Sequence, residues 1–161
     1  MSLFSLREFD RLMNDAARAF EAGLWTEALR LTEAAMQRQE SAEAWLCKAR
    51  CLHHLHRHGE AATAAGIACD RWPDNGRIVA LAANVLDCAG YSDVARKCLT
   101  RALKTPNKTA FCALWAMGRS YRYDWLLFES RIWLKAAKEA APESIKRAIQ
   151  DDYIDVLSKL N

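Results

Sequence analysis

The sequence has 161 residues, of which 52% are hydrophobic and 27% charged, as in a single folded domain rather than a disordered chain. Its 6 glycines and 3 prolines are too few for the many tight turns of a β-sandwich or barrel, which favours a helical fold. The formal net charge is +3, but residues 96–147 carry 12 basic against 4 acidic side chains, whereas residues 1–95 carry 10 against 13. No uncharged stretch approaches the ~20 residues of a membrane-spanning helix.

Two helical segments separated by a short break are predicted in each of the first two parts of the chain. Residues 9–40 break at Gly23, where Thr26 is in position to cap the second helix. Residues 42–74 break at Gly59. Apolar residues three or four positions apart form one face of each segment, which is the helical period.

The same organisation is predicted further along the chain. Residues 76–107 break at Gly90, with Ser92 and Asp93 in position to cap the next helix. Residues 110–142 break near Asp124 without a glycine. A final helix over residues 143–160 has one apolar and one charged face, as is typical of a helix that caps a stack of repeats.

Small residues recur through these segments at intervals of 33, 34 and 35 positions. One such series is Ala16, Ala49, Ala83 and Gly118, and a second is Ala35, Ala68, Ala102 and Ala137. Two further series have the same intervals, namely Ala19, Leu52, Leu86 and Tyr121, and Leu12, Trp45, Val79 and Leu114. Four series in step indicate an internal repeat of about 34 residues.

With this period the chain resembles the tetratricopeptide repeat family. The segment from Ala44 to Leu52, followed by Ala61, Ala68 and Pro73, fits the family pattern without a gap. The sequence departs from the pattern at Asp15, Lys48 and Ser130, where apolar or small residues are expected. The resemblance implies an all-α superhelix, one domain of helical hairpins over 9–40, 42–74, 76–107 and 110–142 with a cap over 143–160.

The resemblance also implies a concave groove lined by the first helix of each hairpin. Carried over residue by residue, the groove would display Met13, Asn14, Phe20, Glu43, Leu46, Cys47, Arg50, His54, Arg77, Leu81, Asn84, Trp115, Arg119, Arg122 and Tyr123. Arginines beside apolar surface suit a protein or peptide with hydrophobic anchors and acidic flanks. The predicted function is therefore a non-catalytic protein-interaction module, a cytoplasmic scaffold or chaperone.

The sequence predicts no metal, no cofactor and no catalytic activity. Cys47, Cys51, His54 and His58 share one helix stripe, but eleven helical residues span about 16 Å, too far for one zinc shell. All four histidines fall within residues 53–58, and no glycine-rich phosphate loop or nucleophile elbow is present. The cysteines are interpreted as reduced residues of the interior.

Three alternatives remain open at this level. One is a chaperone of the type III secretion kind. Another is self-assembly through Phe4, Leu6 and Phe9, which precede the first repeat as surplus hydrophobic residues. Nucleic-acid binding is the less favoured alternative, because most aromatic side chains of the basic segment are expected to fill the fourth hairpin; these are Trp115, Tyr121, Tyr123, Trp125, Phe128 and Trp133.

Overall fold

A computed structural model describes residues 3–105 and 109–160 of the chain. Over these residues the chain forms nine α-helices and no strand, so the predicted all-α fold is confirmed. The helices are α1 (Leu3–Glu21), α2 (Trp25–Met36), α3 (Ala42–His54), α4 (His58–Arg71), α5 (Gly76–Cys88), α6 (Ser92–Lys104), α7 (Ala110–Tyr123), α8 (Leu127–Ala140) and α9 (Glu143–Leu160). None of these nine has the length and apolar composition needed to span a bilayer.

The helices pack as a row of hairpins. The pairs α1–α2, α3–α4, α5–α6 and α7–α8 contact each other closely, and each hairpin contacts the next through its neighbouring helices. Contacts also join α3 to α5 and α5 to α7. The first helices of successive hairpins therefore form one layer and the second helices the other, with α9 packed on α8. Because α1 begins at Leu3, the first hairpin starts ahead of the predicted boundary at residue 9.

The four hairpins share one turn geometry. A residue with positive φ follows the first helix of each pair, and these residues are Gly23 (φ 74°), His56 (φ 59°), Gly90 (φ 86°) and Trp125 (φ 59°). The next N–H donates to the carbonyl five residues back, in the bonds Leu24–Ala19 (2.9 Å), Arg57–Leu52 (2.9 Å), Tyr91–Leu86 (2.8 Å) and Leu126–Tyr121 (3.0 Å). This is the Schellman ending of a helix, and it satisfies carbonyls that the helix leaves without partners.

Several predicted turn features are wrong by a few residues. Gly59 lies inside α4, and the residue with positive φ in that turn is His56. Thr26 lies in the first turn of α2, whose cap position makes no side-chain hydrogen bond. Ser92 is the first residue of α6 rather than its cap. In these turns the Schellman bonds order the chain, so the second helix begins without a side-chain cap.

The small residues mark close approaches between helices. Ala49, Ala61 and Ala68 are fully buried. At Gly118 a Cβ atom would lie 2.7 Å from Cγ of Leu134, closer than packing allows, so only glycine fits there. Ser130, a departure from the family pattern, is buried and donates its hydroxyl to the carbonyl of Gly118 at 2.7 Å.

Two expectations about apolar residues are wrong. Phe9 is not a surplus hydrophobic residue, because it is 9% exposed and packs with buried alanines of α2 and α3. Three aromatic residues of the fourth hairpin do not fill its interior, since Tyr123, Trp125 and Phe128 are 47%, 73% and 65% exposed. Leu6 is partly buried, and the side chain of Phe4 lies outside the described part of the chain.

Candidate functional site

Two adjoining cavities lie along the layer formed by α1, α3, α5 and α7. The larger, of about 750 Å³, is bounded by α1, α3, α5 and the start of α2. Its lining residues are Met13, Ala17, Phe20, Glu21, Trp25, Glu43, Leu46, Cys47, Arg50, His54, Asn75, Arg77, Ile78 and Leu81. The smaller, of about 240 Å³, lies between α5 and α7 and is lined by Arg77, Ala80, Leu81, Asn84, Asp87, Cys112, Trp115, Ala116 and Arg119. The two cavities share Arg77 and Leu81, and together they are called the groove below.

The groove contains most of the residues that the sequence assigned to a concave surface. The larger cavity brings together Met13, Phe20, Glu43, Leu46, Cys47, Arg50, His54, Arg77 and Leu81. The smaller cavity adds Asn84, Trp115 and Arg119. Asn14 is exposed but lines neither cavity. Arg122 and Tyr123 line a separate hollow between the end of α7 and α9.

Arg122 is held by the chain itself, which corrects its assignment to the groove. Its guanidinium donates to the carboxylates of Asp152 at 2.9 Å and Asp155 at 3.2 Å, both on α9. The indole N–H of Trp115 donates to the other Asp152 oxygen at 2.7 Å. The end of α7 is therefore covered by the C-terminal helix, and the groove ends before it.

One wall of the larger cavity is an aromatic cluster. The rings of Trp25 and His54 stack with centroids 4.1 Å apart and planes 10° from parallel, and Phe20 meets Trp25 edge-on at 4.7 Å. The guanidinium of Arg50 lies over the ring of Phe20 at 4.2 Å. Trp25 belongs to α2, so an assignment based on first helices alone missed it; its only sequence signal is an aromatic residue directly after a hairpin turn.

The charges of the groove are unequal along its length. The larger cavity holds Glu21 and Glu43 as well as Arg50 and Arg77, whereas the smaller holds Arg77 and Arg119 with Asp87. Burial raises the pKa of Asp87, which accepts a hydrogen bond from Ser120 at 2.9 Å. The α5–α7 end is therefore the more positive part.

Three groove arginines have no ion-pair partner within residues 3–105 and 109–160. They are Arg50, Arg77 and Arg119, and the buried Nε of Arg119 has no hydrogen-bond partner there. Several arginines on other surfaces are paired, among them Arg71 with Glu40 and Arg96 with Asp124. In the same ranges, His, Cys, Asp and Glu side chains form no group of three or more suited to hold a metal ion.

Comparison with known proteins defines the fold. No family model matches the sequence, and no curated protein matches it. Two solved structures of the tetratricopeptide-repeat protein MamA are similar in fold. The MamA RS-1 ArsTM double mutant gives a TM-score of 0.61 at 16% identity, over 94% of this chain and 93% of that one. MamA 41-end from Desulfovibrio magneticus RS-1 gives 0.61 at 18% identity, over 94% and 90%.

At such identity the likeness extends to the fold. The chain is a solenoid of helical hairpins whose fold is similar to that of the MamA structures, and the tetratricopeptide-like fold expected from its repeat period is confirmed. What the groove binds has to be argued from its own side chains.

Proposed function

We propose that the chain is a non-catalytic protein-interaction module, a scaffold or chaperone that holds a segment of another protein in its groove. The observation that carries the proposal is the combination of apolar walls with Arg50, Arg77 and Arg119, which lack ion-pair partners in the described residues. A guanidinium is costly to desolvate without an acceptor, so these side chains favour a ligand that supplies carboxylates. Six cysteines held as free thiols support a reducing compartment such as the cytoplasm.

The charge distribution sets the expected orientation of the ligand. A hydrophobic anchor fits the larger cavity against Phe20, Trp25 and Leu46, where acidic and basic side chains balance. An acidic flank fits the α5–α7 end, between Arg77 and Arg119. The proposed partner segment therefore carries Leu or Phe at one end and Asp or Glu at the other.

The test is a panel of fluorescent peptides with Leu or Phe anchors and flanks of either Asp and Glu or Lys. We expect the acidic peptides to bind and the basic ones to fail. Arg77→Glu combined with Arg119→Glu should weaken the acidic peptides by about tenfold or more, because each charge-assisted hydrogen bond contributes about 1.5–3 kcal/mol. Fluorescence anisotropy measures the dissociation constants.

A matched control reverses two exposed lysines of the outer helix α6, Lys97→Glu and Lys104→Glu, with the same change in net charge. Circular dichroism should be the same for all variants. Equal loss of binding in the α6 control would mean that net charge, not the groove, attracts the peptides. Absence of binding by every acidic peptide would contradict the proposal.

Self-assembly is a second candidate function, and a specific surface favours it. Trp125, Phe128 and Ile132 are 73%, 65% and 63% exposed. Trp125 lies in the turn that precedes α8, and Phe128 and Ile132 lie four residues apart on α8. Such a cluster in water is typical of a surface that contacts another protein. This differs from the association through Phe4, Leu6 and Phe9 expected from the sequence, because Phe9 belongs to the core.

A further inference from the structure

The smaller cavity of the groove is formed by one stripe of α5 and one stripe of α7. Its lining residues recur three or four positions apart, from Arg77 to Asp87 on α5 and from Cys112 to Arg119 on α7. Alanine, leucine and tryptophan side chains form the apolar part of this lining. The volume of about 240 Å³ is larger than the roughly 150 Å³ of a cavity that holds benzene, so one side chain or one small molecule fits in it.

Arg119 brings an unsatisfied hydrogen-bond donor to this cavity. Its Nε is buried and has no hydrogen-bond partner in the part of the chain that the structure describes. Within the same residues neither Arg119 nor Arg77 forms an ion pair. Because a buried guanidinium N–H without an acceptor costs free energy, the cavity favours a ligand that brings an anionic oxygen to Arg119.

Asp87 adds a negative charge to the wall of the same cavity. One of its carboxylate oxygens accepts the hydroxyl proton of Ser120 at 2.9 Å, and among the described residues Asp87 pairs with neither arginine of the lining. The lining therefore contains two guanidinium groups and one carboxylate, which leave one net positive charge rather than two. Any anion that enters the cavity is attracted by the arginines and repelled by Asp87.

This balance of charges favours ligand groups with a single negative charge. The attraction between a ligand and a positive site grows in proportion to the ligand's charge, whereas the cost of removing the ligand from water grows with the square of that charge. A carboxylate has a charge of −1, and a phosphate monoester has about −1.5 to −2 at pH 7. Asp87 therefore reduces the attraction for a phosphate up to about twice as much as that for a carboxylate, and the phosphate has the larger desolvation cost to offset.

We propose that Asp87 is a specificity-determining residue of the groove, which restricts the α5–α7 cavity to a carboxylate and excludes a phosphate group. Where the carboxylate is a Glu side chain of a partner segment, this inference rests on the proposed function. Phosphorylation of the partner at that position then weakens the complex, because the added charge meets Asp87. The chemistry of the cavity itself is the same for a free carboxylate of similar size.

Two small probes test the cavity without a partner protein. At pH 8, 3-phenylpropionate carries one negative charge and phenyl phosphate carries about two, and each joins its anionic group to one ring. This pH is far above the ordinary Asp pKa of about 3.9, as is needed because burial raises the pKa of Asp87. The measurement is the NMR signal of the Arg119 Nε–H in protein labelled with nitrogen-15, because a ligand that accepts this N–H shifts the signal.

We expect 3-phenylpropionate to shift the Arg119 signal until it saturates, and phenyl phosphate to bind about tenfold more weakly or worse. Arg119→Lys identifies the signal by its absence. This variant keeps the charge but not the Nε–H, so it should weaken the binding of 3-phenylpropionate by about tenfold, followed through backbone amides of α5 and α7. Failure of 3-phenylpropionate to shift the Arg119 signal would overturn the proposal.

Asp87→Asn removes the charge and keeps an oxygen that can accept the Ser120 hydroxyl proton. Since the Coulomb energy is proportional to the ligand's charge, phenyl phosphate should gain about the square of the factor that 3-phenylpropionate gains, for example about tenfold against about threefold. Asp93→Asn is the matched control, because Asp93 lies on the outer helix α6 with a side chain that is 93% exposed. It makes the same change in net charge and should alter neither affinity.

Two results of this series contradict the selection by Asp87. One is a wild-type chain that binds phenyl phosphate as tightly as 3-phenylpropionate. The other is an Asp87→Asn chain in which both probes gain the same factor, because a purely structural role of Asp87 would not change their ratio.

Peptides that differ at one position connect the cavity to the proposed function. In the acidic peptides described above, phosphoserine replaces one Glu of the flank. The Glu peptide should bind about tenfold more tightly or better, Asp87→Asn should narrow the difference, and 3-phenylpropionate should displace the Glu peptide. Equal binding of the two peptides would refute the selection. If no acidic peptide binds while the two probes are still distinguished, the proposed function fails and the selective site for a free carboxylate stands.

Discussion

Single residues at the hairpin turns differ in how well they suit their backbone. Gly23 and Gly90 have positive φ without cost, because glycine has no Cβ. His56 and Trp125 occupy the same turn position with φ of 59°, a region that costs an ordinary residue about 1 kcal/mol. The intervals between the four positions are those of the repeat, so the turn geometry is imposed by the hairpin and not chosen by the local sequence.

Replacing His56 by glycine should therefore stabilise the chain. We expect the free energy of unfolding to rise by about 0.5–1 kcal/mol, because the strained φ is relieved and the His56 side chain is exposed, with a ring contact to His58. The reverse change, Gly90→Ala, should destabilise by about the same amount, since a Cβ there would meet no atom within 4 Å and only the φ is at issue. Urea denaturation with unchanged slope measures both. A stabilised Gly90→Ala chain would contradict the argument.

At the scale of helices, the sequence predicted the packing contacts that recur in each hairpin and missed the contacts that occur once. The buried alanines recur every 33 to 35 residues because each hairpin meets its neighbours in the same way, and this register also placed Leu46, Arg50 and Leu81 on the first helices. The contact of Trp25 with the groove occurs in one hairpin only. The ion pair between Arg122 and Asp152 joins a helix of the fourth hairpin to the terminal helix α9. Because α9 is not part of the repeat, the repeat period cannot predict this pair.

The exposed apolar residues Phe128 and Ile132 of α8 escaped prediction for a related reason. Helical spacing identifies an apolar stripe, and an apolar stripe is usually buried. In α8 the fully buried Leu134 and Ala137 form one stripe, while Phe128 and Ile132 form another that is 65% and 63% exposed. A pattern in one helix cannot tell which of two stripes has a neighbour.

The carboxylate of Asp152 joins the terminal helix α9 to α7. Removing this carboxylate should therefore loosen α9 and leave the other end of the solenoid unchanged. Asp152→Ala leaves the Trp115 N–H without its acceptor and leaves Asp155 as the remaining carboxylate on Arg122, at a site where the Arg122 and Asp152 side chains are both less than a quarter exposed. A lost hydrogen bond to a charged group costs about 1.5–3 kcal/mol. Hydrogen exchange of α9 amides should therefore accelerate by about tenfold or more.

The neighbouring exposed residue offers a control for this change. Asp151→Ala alters the same helix and the same charge, and it should leave α9 protection unchanged. Amides of α3 and α4 should keep their protection in both variants, since each unit of a solenoid contacts only its neighbours. Equal acceleration in α3 and α9 would mean that the chain unfolds as one cooperative body.

At the scale of the whole molecule, the described surfaces include a charged exterior with several ion pairs, the groove, and the apolar patch of Trp125, Phe128 and Ile132. A solenoid needs its end covered, and α9 covers α8 with the fully buried Ile149 and Val156. The patch is therefore not a missing cap. It lies apart from the groove, so one chain has room for a partner segment and a second copy at once.

Self-association through the patch predicts a concentration-dependent dimer. Burying a large apolar side chain contributes about 1.5–3 kcal/mol, so Phe128→Asp combined with Ile132→Asp should raise the dissociation constant at least a hundredfold. Light scattering coupled to gel filtration measures the mass at each concentration.

Leu24→Asp is the matched control, because Leu24 is 58% exposed at the corresponding turn of the first hairpin. The dimer of the Leu24→Asp chain should persist. High salt should not dissociate the wild-type dimer, because salt does not screen apolar contacts. A wild-type chain that remains monomeric at every concentration, or equal loss of the dimer in Leu24→Asp, would assign the patch to a different partner.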